Sequence, residues 1–123
     1  MRRSLALAVC LGLLAAAPAG SAEQVPDRVQ VRGTEFDLTL SKTKLIPGRA
    51  IIQFVNAGED PHDLRVLRVG GETEVGVGVV PPGGVVNLDT RLRKRATYKL
   101  WCSLSDHRQR GMEATLRTHK RRP

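Results

Sequence analysis

The 123-residue length suits one domain, and the formal net charge of +8 brings no nucleic-acid recognition motif with it. Three histidines in all are too few for a multinuclear metal cluster built on histidine pairs. What the chain contains is best taken from its beginning.

Met1-Arg2-Arg3 is a short basic start, Leu5 to Ala17 is almost wholly apolar, and Ala17-Pro-Ala-Gly-Ser-Ala22 supplies small residues suited to cleavage. This order predicts a secretory signal peptide over residues 1–22, cut after Ala22 or, as the alternative, after Ala19. The apolar run is too short for a convincing membrane span. Lipidation at Cys10 is disfavoured by Val9 before it and by its early position. Cleavage would carry Cys10 away and leave Cys102 alone, so no intrachain disulfide is expected in an oxidising compartment. It would also leave eighteen basic and twelve acidic residues, a formal +6. The expected product is an exported protein of the periplasm or the extracellular face of the envelope. It would be one domain over residues 23–123, with a basic tail from about 118.

After the leader, short apolar runs alternate with turn signals, and nothing has a helical period. Val29-Gln-Val31 alternates, and so does Glu35 to Leu40, with Phe36, Leu38 and Leu40 on one face. Pro47-Gly48 is a turn, Ala50 to Val55 a β-branched run, and Asn56-Ala-Gly58 a second turn. Leu64 to Val69 ends at Gly70-Gly71, and the glycine-interrupted Val75 to Val80 reads as a weak or bulged edge strand. Pro81-Pro-Gly-Gly84 breaks the chain before Val85 to Leu88, the basic stretch Arg91 to Arg95 joins that run to Ala96–Cys102, and Glu113 to Arg117 closes the set. Seven or eight strands without crossover helices predict an all-β, mostly antiparallel sandwich. The residues from His119 onward read as a frayed end.

Chemistry concentrates late. Cys102, His107 and Met112 fall at five-residue intervals just past a predicted strand. Thiolate and thioether are soft donors that favour copper, and two imidazoles with one thiolate and a distant Met form the blue-copper donor set. His62, in Glu59-Asp-Pro-His62, is the candidate for the second imidazole. Each residue also has a plainer role: Cys102 as a buried apolar side chain, His62 as a turn residue, His107 as an exposed loop residue, Met112 as core filler. Their conjunction in a single-cysteine exported chain favours copper. Zinc accepts Cys and His but has little use for Met. His119, in the basic tail, reads as solvated.

With these residues in view, the chain resembles the cupredoxins, the small blue type 1 copper proteins that include plastocyanin, azurin and rusticyanin. The carriers are Glu35-Phe36, Pro47-Gly48, Asn56 with His62, Pro82-Gly83, and Tyr98-x-Leu-x-Cys102-x4-His107-x4-Met112, the last in a rusticyanin-type spacing. The resemblance implies a Greek-key β-sandwich with His62, Cys102 and His107 as equatorial ligands of one type 1 copper and Met112 as the weak axial ligand. It also implies that Asp63 and Ser103 link the two ligand loops, that the Pro61 carbonyl lies near the metal, and that the edge of His107 is the electron port. Trp101, next to the cysteine, could mark a second electron route, although packing is the preferred reading.

The function implied is an exported one-electron carrier with no catalytic site, serving redox partners that the basic surface, Arg108 and Arg110 above all, would steer if they are acidic. A monomer is expected. Two alternatives stay open: a copper module for delivery, buffering or resistance, and an envelope interaction domain without metal.

Overall fold

A computed structural model describes residues 15–120 of the chain. The first fourteen residues of the expected leader, Cys10 among them, lie outside the described residues, as do 121–123 of the tail. Residues 15–22 carry no secondary structure and are exposed.

Nine strands follow: β1 (Asp27–Thr34), β2 (Asp37–Leu40), β3 (Lys44–Leu45), β4 (Gly48–Asn56), β5 (His62–Arg68), β6 (Glu74–Val80), β7 (Val85–Leu92), β8 (Thr97–Trp101) and β9 (Glu113–Thr118). They form two sheets, ordered β2-β1-β4-β7 and β3-β9-β8-β5-β6, between which the chain crosses repeatedly. Alternation places the core. In β4, Ala50, Ile52 and Phe54 point inward and are fully buried, while Arg49, Ile51 and Gln53 stay partly exposed. Val29 and Val31 from β1, Leu64 and Val66 from β5, Leu100 from β8 and Leu116 from β9 fill the space between the sheets.

Three features depart from the sequence reading. β3 is a two-residue strand that carries too little pattern to be read, although its Leu45 is fully buried. β7 runs on through Arg91 to Leu92, because Leu92 turns into the core while Arg91 faces outward opposite Arg49. The basic stretch is therefore strand in its first part and turn only afterwards. The pairings are mostly antiparallel, as expected, with β1–β4 and β3–β9 the parallel ones, so both sheets are mixed. The expected frayed end is also tied further than its composition suggests: His119 N–H donates to the Leu45 carbonyl at 3.0 Å, and its own carbonyl accepts from Arg95 N–H at 3.1 Å. Among the described residues, no helix is long and apolar enough to cross a membrane.

One end of the sandwich gathers the β1–β2 turn with Glu35 and Phe36, the end of β4 at Asn56, the start of β5 at His62, and the loop between β8 and β9. Loops supported in this way by two packed sheets are where a rigid site is most easily built.

Candidate metal centre

His62 reaches the interior through a break in the pleat. It pairs with Val80 and Leu64 pairs with Val77, so the register slips between them and leaves a bulge against β6. A regular strand would bury every second side chain; here His62, Asp63 and Leu64 are all buried in succession. Gly76 sits opposite this stretch, where a Cβ would come within 2.2 Å of the Leu64 carbonyl oxygen. Only a glycine lets the two strands approach that closely.

The turn before His62 is held by Asn56, which is fully buried. Its Nδ2 donates to the carbonyls of Asp60 and Val80, each at 2.8 Å, and its Oδ1 accepts from Gly58 N–H at 3.0 Å. The side chain does the work of backbone pairing across a segment with no ladder of its own.

Cys102 follows directly from β8, and the loop folds back on it. Cys102 N–H donates to the Met112 carbonyl and Met112 N–H to the His107 carbonyl, both at 3.1 Å, while His107 N–H donates to the Leu104 carbonyl at 3.1 Å. Gly111, with φ of 107°, makes the last turn of this loop before Met112. The three predicted residues Cys102, His107 and Met112 are thus tied to one another through their backbones.

Side chains converge accordingly. His62 Nδ1 and His107 Nδ1 lie 3.2 Å apart, and the Cys102 sulfur lies 3.8 Å from the first and 3.5 Å from the second. Two nitrogens cannot face each other this closely with both lone pairs bare; a proton or a metal cation between them relieves the repulsion. Cys102 and His62 are fully buried and His107 is half-buried. Burial pushes the Cys102 thiol above its ordinary value, partly offset by the backbone N–H groups of Asp63 and Leu104. Those amides favour a thiolate once a cation arrives. Met112 is fully buried, its methyl so close to β1 that a Cβ on Gly33 would stand 3.1 Å from it and 3.0 Å from the Phe54 ring.

Two carboxylates brace the cluster. Asp63 accepts from Ser103 N–H at 2.6 Å and from the Ser103 hydroxyl, joining the His62 strand to the Cys102 loop as the resemblance implied. Glu35 accepts from His62 Nε2 at 3.0 Å. Sequence reasoning gave Glu35 no role of its own, because nothing local to the β1–β2 turn reports a partner 27 residues away.

The outer rim is aromatic and basic. The Phe36 and His107 rings pack at 4.8 Å between centroids, with the Arg110 guanidinium 4.7 Å above Phe36. Arg108 lies 4.3 Å above Trp101, which is buried beneath it outside the contiguous core. Both arginines are also ion-paired, Arg108 with Glu113 at 3.0 Å and Arg110 with Asp106 at 2.9 Å, so part of the charge expected to steer partners is neutralised in place. The Arg110 guanidinium holds the Asp106 carboxyl below its ordinary value.

No family model matches the chain, and no curated protein matches it by sequence. Solved structures do. An auracyanin from Roseiflexus castenholzii superposes with a TM-score of 0.60 at 13% identity, over 77% of this chain and 98% of that one. Auracyanin B gives 0.61 at 18% identity, over 78% and 91%. A multicopper oxidase gives 0.52 at 18%, with this chain spanning 43% of its length. Two imidazoles and a thiol meeting on this scaffold point to a single type 1 copper site. Its two mixed sheets, packed face to face with the loops gathered at one end, give the chain the cupredoxin fold.

Proposed function

We propose that this protein is an exported one-electron carrier whose copper is held by His62, Cys102 and His107, with Met112 as the weak fourth donor. The observation that carries the reading is the meeting of two Nδ1 atoms and one sulfur within 3.8 Å at the loop end of a rigid sandwich. When bound, copper supplies a one-electron couple between Cu(I) and Cu(II). The chain's own contribution is to keep the donors still. His62 is held from behind by Glu35, Cys102 by the backbone of Met112, and the two donor strands by Asp63 and Ser103. Donors locked in this way need little rearrangement when charge changes, which suits a carrier better than a delivery protein that must release its metal.

His107 is the half-buried member of the set and the natural exit for an electron, its ring covered only in part by Phe36. Partners are redox proteins that dock over this edge, acidic ones being favoured by the basic surface. Residues 1–22 support export by their composition.

The test is an optical spectrum of the Cu(II)-loaded protein beside a Cys102→Ser variant, followed by chemical reduction and reoxidation. The expected result is an intense visible band near ~600 nm, absent from the variant and reversible through the cycle, as a thiolate–Cu(II) donor set requires. A colourless loaded protein would overturn the reading. A band that fades as copper leaves on reduction would point to delivery or buffering instead.

A further inference from the structure

Glu35 is built into its position more firmly than an exposed turn residue needs to be. Its Oε1 accepts three donors: Glu59 N–H at 2.8 Å, Asp60 N–H at 2.8 Å and His62 Nε2–H at 3.0 Å. Gly58 makes room for it, because a Cβ there would stand 2.1 Å from that same oxygen.

The consequence lies across the ring. A nitrogen that donates to a carboxylate must carry the proton, and a neutral imidazole then presents a bare lone pair on its other nitrogen. For His62 that other nitrogen is Nδ1, the atom facing Cys102 and His107. Asp63 is a neighbouring carboxylate, but it is occupied by Ser103.

We propose that Glu35 is a positioning residue of the metal centre: it fixes the tautomer and ring plane of His62 and, as an anion behind the donor, biases bound copper toward Cu(II). The second half rests on the copper reading of the site; the first does not. A carboxylate on the far nitrogen of a metal-binding histidine raises its basicity, and losing such a partner typically weakens metal binding by about 10- to 100-fold.

Three variants separate the contributions. Glu35→Gln keeps an acceptor oxygen and removes the charge, Glu35→Ala removes both, and Gly58→Ala displaces the carboxylate without touching it. In the metal-free protein, nitrogen NMR of the histidine rings reads the tautomer directly. We expect His62 protonated on Nε2 in the wild type and in Glu35→Gln, and a mixture of tautomers in Glu35→Ala and Gly58→Ala. In the copper-loaded protein, Cu(II) affinity should fall by about 10- to 100-fold in Glu35→Ala. The reduction potential should move upward in all three variants, since Cu(II) loses more than Cu(I). Unchanged tautomer and potential in Glu35→Ala, with only a loss of thermal stability, would make Glu35 a loop clamp and overturn the proposal. A wild type that forms no coloured copper complex overturns the copper reading and the bias toward Cu(II) together, while the nitrogen shifts still decide the positioning.

Discussion

Asp63 takes both donors of Ser103, its backbone N–H at 2.6 Å and its hydroxyl, across 40 residues of sequence. One carboxylate therefore fastens the strand that begins with His62 to the loop that begins with Cys102. Hydrogen bonds to a charged acceptor are worth more than neutral ones, about 1.5–3 kcal/mol each. Asp63→Ala should then destabilise the metal-free protein by about 3 kcal/mol in urea denaturation, and Asp63→Asn by roughly 1 kcal/mol, since an amide oxygen still accepts. Equal stability of Asp63→Ala and wild type would mean that the link is not holding the loops.

Met112 allows its packing and its chemistry to be separated. It is fully buried, so Met112→Ala should cost about 3 kcal/mol through the cavity it leaves. Met112→Leu conserves volume and should cost less than about 1.5 kcal/mol. The Leu variant should nonetheless change the visible spectrum and raise the reduction potential of the copper-loaded protein. A Leu variant with wild-type spectrum and potential would leave Met112 a core residue and nothing more.

Asn56 should matter as much as a donor side chain while touching no metal. Asn56→Ala strands the Asp60 and Val80 carbonyls and the Gly58 amide, three groups it now satisfies. The expected loss is on the order of 3 kcal/mol, with faster amide exchange at Gly58 and Glu59. Slow exchange and intact stability in the variant would show that the turn holds itself.

Acid sensitivity should come partly from Asp27, far from the metal end. Its burial alone would raise the carboxyl, but the Lys42 ammonium and the Ile46 and Arg28 amides outweigh that and bring it below its ordinary 3.8. A carboxyl lowered by folding contributes stability that is complete above its unfolded value and is lost as pH falls through its folded one. The stability difference between wild type and Asp27→Asn should therefore be full at pH 6 and shrink steadily below about pH 4. A difference that stays constant down to pH 2 would exclude this origin.

Much of this was legible from the residues. Phe54 and Ile52 alternate with Gln53 as a half-buried strand must, and the spacing of Cys102, His107 and Met112 marks a loop of soft donors. The mostly antiparallel pairing was legible too, but its parallel exceptions were not, because the match of Val31 to Phe54 is set by the whole sandwich and leaves no mark on either strand. The extension of β7 through Arg91 was hidden by charge: a strand whose outer face is basic looks like a linker until its inner Leu92 is seen to be buried. Glu35 is the clearest omission at the site. An acid in a turn has no sequence signature for a histidine on another strand, and only the folded chain places Gly58 where it leaves the carboxylate room.

The ladder between β5 and β8, in which Arg65 faces Trp101 and Arg68 faces Tyr98, governs timing as well as place. Before those strands zip together, the loop after β8 brings Cys102, His107 and Met112 close in sequence but leaves the second imidazole, His62, on a separate strand. Contacts between segments so far apart form slowly, since the loop between them must first be closed. The full donor set therefore exists only in a chain in which β5 and β8 have paired, and metal binding selects for a chain that has already found its topology.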